Sequence, residues 1–163
     1  MSAADDKEIL TWQRFGEANR ELATEIHASG YRPDLVIAIA RGGLLFAGGL
    51  AYALGIKACD AVTAEFYTGI GETLESPILL RPFMDEEAAR GAKVLLVDDV
   101  ADSGRTLRLA VDLVTKMGAE VRSAVLYTKP TTIIQPDFSW KDTDAWIVFP
   151  WSADPPVGGG SDH

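Results

Sequence analysis

Four consecutive apolar residues, Val94–Val97, run directly into two carboxylates, Asp98 and Asp99, and then into the turn Asp102-Ser103-Gly104. A run so short, apolar and rich in branched side chains reads as a strand covered on both faces. Such strands occur in parallel sheets flanked by helices. The pattern predicts a strand over Lys93–Asp98 with the acids at its exit, then a helix over about 106–117 closed by Gly118.

The same alternation recurs along the chain. Thr11 is placed to cap a helix reaching Ser29, with Phe15, Ala18, Leu22 and Ile26 on one face and Gly30 as its stop. Asp34–Ala40 is a second buried strand, and Arg41-Gly42-Gly43 leads into an apolar helix over 44–54 that Gly55 ends. Further strands are expected over 56–66, 77–81, 121–128 and 145–149, with a charged helical turn or exposed connection over 85–90. Residues 1–10 read as an N-terminal lead-in, loose and acidic over 1–8. Residues 11–151 form one domain, and 152–163 a disordered tail.

Glu65, Phe66 and Tyr67 introduce a loop over 67–76 that lacks apolar periodicity, which predicts a mobile loop. The expected fold is therefore α/β, with a mostly parallel central sheet flanked by helices. Ligands of such sheets bind beyond the carboxyl ends of strands, where the loops after Ala40 and after Val97 both lie. One site is expected there.

Composition narrows the chemistry. A net charge of -9 argues against a broad nucleic-acid or anionic-membrane surface. Cys59 is the single cysteine, and His27 and His163 are the only histidines, so a disulfide framework, a thiolate metal cluster and a histidine triad are all poorly served. No basic segment leads into an apolar run, and no stretch approaches membrane-spanning length. A cytoplasmic location is expected.

The segment 98–106 carries the most chemical information. Backbone N–H groups at a helix start, the helix dipole and the hydroxyls of Ser103 and Thr106 suit a phosphate monoester. The adjacent Asp98 and Asp99 suit the two hydroxyls of a ribose, directly or through a hard cation such as magnesium. Together they describe a site for ribose 5-phosphate.

Leu95–Leu107 (LLVDDVADSGRTL) resembles the phosphoribosyl-pyrophosphate signature of the type I phosphoribosyltransferases. Thr11-Trp12, the turn Ala40–Leu44, and the closing Trp146-Ile147…Pro150-Trp151 are similar in type and order to the bacterial xanthine-guanine enzymes, and the likeness spans roughly 11–151. The resemblance implies transfer of a phosphoribosyl group from phosphoribosyl pyrophosphate to a nitrogenous base, with Mg2+ as cofactor.

It also implies that the 67–76 loop is a flexible hood closing over the transferring ribosyl group, or else a hairpin tip without function, and it implies roles for individual residues. Arg41 and Gly42 would hold pyrophosphate through backbone N–H groups and an unusual peptide conformation, or else form an ordinary helix-start turn. Asp98 and Asp99 would hold the ribose hydroxyls and the metal, while Asp102, Ser103, Gly104, Arg105 and Thr106 would cradle the 5′-phosphate. Asp102 would also accept a proton at the incoming base, besides or instead of capping the helix.

Lys129 would donate to a 6-oxo group, an ammonium having only donors to offer, or else be a solvated strand end. Trp146 would stack on the purine and Ile147 would meet its edge; a core or subunit-interface position is the alternative for Trp146. Trp12, Trp140 and Trp151 read as structural. Phe46 departs from the proline often found at its position, which leaves the geometry of helix 44–54 open.

The sequence does not rank guanine, xanthine and hypoxanthine. Three rival functions are a different base, a phosphoribosyl-pyrophosphate-sensing regulator that binds nucleic acid, and a phosphate-binding protein without chemistry. The apolar 44–54 helix invites a subunit contact, and a homo-oligomer, dimer or tetramer, is expected.

Overall fold

The computed structural model describes residues 6–66, 78–83 and 85–160; the expected hood, 67–76, lies outside the described residues. In chain order the elements are β1 (Lys7–Ile9), α1 (Trp12–Ala28), β2 (Leu35–Ala40), α2 (Leu44–Leu54), β3 (Cys59–Phe66) and β4 (Ile78–Phe83). Then follow α3 (Glu86–Ala89), β5 (Lys93–Ala101), α4 (Arg105–Lys116), β6 (Glu120–Thr128), β7 (Phe138–Asp142) and β8 (Trp146–Val148).

Among the described residues, six strands form the main sheet in the order β4-β3-β2-β5-β6-β7, parallel except for the β3–β4 pair. From β2 the chain winds outward through β3 and β4; from β5 it winds the other way through β6 and β7. The order therefore reverses between β2 and β5, and a crevice opens beyond their carboxyl ends.

Alternation along the strands divides the core. Val36, Ala38, Leu95 and Val97 pack with α1 and α2 on one face, while Ile37, Ile39, Val94 and Leu96 pack with α4 on the other. Thr11 caps α1 as expected, its hydroxyl accepting the Arg14 N–H at 3.1 Å. Phe46 leaves α2 a regular helix: it is fully buried and meets Phe15 edge-on at 6.2 Å.

Several expectations are corrected. Residues 7–9 are not part of a loose lead-in but form β1, which pairs in parallel with β8 as a separate two-stranded sheet. The last predicted strand thus leaves the main sheet, and β7, which the sequence reading missed, takes the edge beside β6. β5 does not end at Asp98. It continues to Ala101 because β6 keeps pairing with it, Val100 opposite Tyr127 and Ala101 opposite Thr128. β3 begins only at Cys59, since the Ile56 N–H turns back to the Ala51 carbonyl and closes α2.

Candidate functional site

The crevice between β2 and β5 is shaped by absent side chains. A Cβ on Gly42 would lie 2.6 Å from the Asp99 carboxyl carbon, and one on Gly43 would lie 2.8 Å from the Ile39 carbonyl and 2.9 Å from the Asp98 Cα. Only glycine lets the turn after β2 lie this close to the acids of β5. The Ala40–Arg41 peptide that enters the turn is cis. Arg41, Gly42 and Asp99 form one wall of a cavity of about 560 Å³, and Leu44, Phe149 and Trp151 line it elsewhere.

Asp98 and Asp99 sit inside β5, half-buried, each engaged by the next peptide. The Asp99 N–H donates to Asp98 Oδ1 and the Val100 N–H to Asp99 Oδ1, both at 2.8 Å. Burial pushes both carboxyls above their ordinary range, Asp98 the further, because the Asp99 charge adds to it. A desolvated pair of like charges is stabilised by a cation. Among the described residues no group of three or more His, Cys, Asp or Glu side chains is placed to hold a metal ion. Two carboxylates fit a hard divalent ion that takes its remaining ligands from water and phosphate oxygens.

Beyond the acids the chain enters α4 through Gly104, at φ 81° and without a side-chain cap. The Ser103 hydroxyl accepts the Arg105 N–H at 3.3 Å. Asp99, Asp102, Ser103, Gly104 and Thr106 line a second cavity of about 340 Å³. A glycine at the N-cap and a helix N-terminus give it the character of an anion pocket. The two cavities share Asp99.

Lys129, Trp146 and Ile147 form a second group. The Lys129 ammonium donates to the Ala145 carbonyl, one residue before β8, and also lines a cavity of about 480 Å³ with Thr132, Gln135 and Asp144. Trp146 is 72% exposed, which removes the core option and leaves it free to face a ligand or another surface. Ile147 is half-buried, opposite Glu8 of β1. The groups join through the Lys129 N–H, which bonds to the Ala101 carbonyl at 2.9 Å.

The sequence reading missed Trp151 as a candidate. Its ring stacks on Phe149 at 5.0 Å and it also walls the cavity of Arg41 and Gly42. Pro150-Trp151 follows β8 outside any periodic element, so nothing in the sequence says which way the ring turns. Thr131 was missed for a like reason; its hydroxyl reaches Asp102.

The sequence model of the phosphoribosyl transferase domain matches residues 5–156. A xanthine-guanine phosphoribosyltransferase of Ruegeria sp. (strain TM1040) is 32% identical over 153 residues, which cover 87% of this chain and 83% of that protein. The purine phosphoribosyltransferase of Pyrococcus horikoshii superposes with a TM-score of 0.81 at 35% identity, covering 93% of this chain and 98% of its own. A protein of Neisseria gonorrhoeae solved with bound ppGpp also gives 0.81, at 29% identity over 90% of this chain and 89% of its own. On the domain match and these relatives, this chain belongs to the phosphoribosyl transferase family.

Proposed function

We propose that the protein transfers the 5-phosphoribosyl group of phosphoribosyl pyrophosphate to a 6-oxopurine, guanine, xanthine or hypoxanthine, giving a purine nucleoside monophosphate and pyrophosphate. One observation carries the reading: an anion pocket, a half-buried acid pair and a glycine turn meet at a single crevice and share Asp99. The substrates named for the Ruegeria and Pyrococcus relatives support the purine. The ppGpp of the Neisseria protein, a purine ribonucleotide with phosphates at two positions, is a ligand of the same kind.

In this reading the amides and hydroxyls of 102–106, with Arg105 beside them, hold the 5′-phosphate. Asp98 and Asp99 hold the ribose hydroxyls and magnesium, and Arg41 and Gly42 hold the pyrophosphate. Bound magnesium supplies positive charge beside the departing pyrophosphate. The C1–O bond breaks with its electron pair leaving on pyrophosphate, and a purine ring nitrogen forms the C1–N bond from the opposite face. The proton displaced from that nitrogen passes to the Asp102 carboxylate. Lys129, with three donors, keeps the Ala145 carbonyl and still offers one to a 6-oxo group, which an amino group cannot accept. Trp146 stacks on the ring and Ile147 meets its edge.

The same reading makes the protein a cytoplasmic homo-oligomer, and the exposed Leu44, Leu45 and Tyr52 of α2 offer an apolar face for assembly. The deciding experiment is pyrophosphate release with magnesium, phosphoribosyl pyrophosphate and one nucleobase at a time. Release with guanine, xanthine or hypoxanthine supports the proposal, and release with adenine or a pyrimidine alone replaces the base. Silence with all of them ends it.

A further inference from the structure

We infer that the segment Lys129–Ile133 is a strap that aims the amides of the anion pocket, and that Thr131 is its positioning residue. Three successive carbonyls of the loop are tied to it. The Lys129 N–H donates to Ala101 O at 2.9 Å, the Thr131 hydroxyl to Asp102 O at 3.0 Å, and the Ile133 N–H to Ser103 O at 2.8 Å. In a trans peptide the C=O and the following N–H point in opposite directions. Holding these three carbonyls toward the strap therefore turns the N–H groups of Asp102, Ser103 and Gly104 away from it. The cavity of 98–107 is lined by β5, the loop and the start of α4, with no residue of the strap in its lining.

Contact between strap and loop is close. A Cβ on Gly104 would lie 2.9 Å from the Ile133 nitrogen and 3.1 Å from the Ile134 Cγ2. Thr132 serves the strap itself, its hydroxyl donating to the Ile134 carbonyl at 2.8 Å. The outer two ties are backbone bonds that any non-proline residue would make. The middle tie alone depends on a side chain, and the same hydroxyl lies 3.4 Å from Asp102 Oδ1. Thr131 is exposed, so packing in the core does not call for a threonine there. Lys129 stands at the head of the strap, which couples the keto-recognising end of the site to the phosphate end.

The inference rests on the reading of 102–106 as the 5′-phosphate site. Its test is calorimetric titration of ribose 5-phosphate into the wild type, Thr131→Val, Thr131→Ala and Thr131→Ser, with Thr106→Val as a control for the pocket. Thermal melts verify that each variant is folded. Thr131→Val and Thr131→Ala should weaken binding about tenfold, the factor for about 1.4 kcal/mol, while Thr131→Ser stays near wild type. In turnover, KM for phosphoribosyl pyrophosphate should rise and KM for the purine stay unchanged. Wild-type binding in Thr131→Val and Thr131→Ala, with Thr106→Val weakened, overturns the strap and leaves the pocket standing. Wild-type binding in all variants, Thr106→Val included, puts the ligand elsewhere and overturns both.

Discussion

Asp98 and Asp99 do opposite things to stability and to binding. A carboxyl whose pKa is raised by folding holds its proton more tightly in the folded chain than in the unfolded one. Its contribution to stability is therefore complete below the ordinary 3.8 and is lost as pH rises through the raised value. In metal-free protein, Asp98→Asn removes this loss and keeps an oxygen for the Asp99 N–H. Its melting temperature at pH 7–8 should exceed wild type by about 2–4 °C, the shift that about 1 kcal/mol gives a domain of this size. The gap should close as the pH falls toward 4; a variant that melts at or below wild type at neutral pH would contradict this account. Asp102 is exposed and has no such burial to relieve. Asp102→Asn should lower turnover by about 10²–10⁴-fold, the usual span for a lost acid–base group, with phosphoribosyl pyrophosphate binding nearly intact. The turn Asp102-Ser103-Gly104 was legible in the sequence, as a cluster of small polar residues and glycine at a helix start. The contact that holds it, from Thr131 across a loop, was not, since no local spacing relates the two positions.

At the scale of elements, the pieces that sequence periodicity finds are those buried on their own strength. β2, β5 and α1 are of this kind, with apolar residues at the spacing their element requires. β1 is three residues, Lys7-Glu8-Ile9, two of them charged, and becomes a strand only because β8 is there to pair with. That pairing ties β1 to the proposed base site. Glu8 lies opposite Ile147 in the small sheet, and its carboxylate accepts from Lys141 Nζ at 3.0 and 3.1 Å and from the Tyr127 hydroxyl at 3.3 Å. Burial and the neighbouring Glu8 push the Tyr127 phenol up, so it remains a donor at neutral pH. One side chain thus fixes the strand of Trp146 and Ile147 to β6 and β7. Lys141 is half-exposed, and the ion pair itself contributes little. Its geometry matters more. Glu8→Ala should raise KM for the purine roughly fivefold, the factor for about 1 kcal/mol, and leave KM for phosphoribosyl pyrophosphate unchanged. Equal rises in both constants would mean a general loosening rather than misplacement of β8.

For the whole molecule, the switch between β2 and β5 explains why two loops nearly sixty residues apart in the chain, after Ala40 and after Val97, border one crevice. A parallel sheet wound in both directions brings those two carboxyl ends side by side. It also creates an electrostatic problem. The chain carries a net charge of -9, the crevice holds two desolvated acids, and the proposed substrate is itself a polyanion. Without a cation between them, substrate phosphates and the acid pair repel one another, so metal and substrate should bind cooperatively. Linkage makes the coupling reciprocal, each raising the affinity of the other by the same factor. Phosphoribosyl pyrophosphate with magnesium, at about 100 times the dissociation constant, should stabilise the fold by about 2.7 kcal/mol. Either one alone should give a much smaller thermal shift. In Asp98→Asn/Asp99→Asn the repulsion and the metal ligands disappear together, so phosphoribosyl pyrophosphate should give the same shift with magnesium as with a chelator. If the wild type already behaves that way, the acid pair holds no metal beside the substrate, and its burial next to Gly42 requires a different cause.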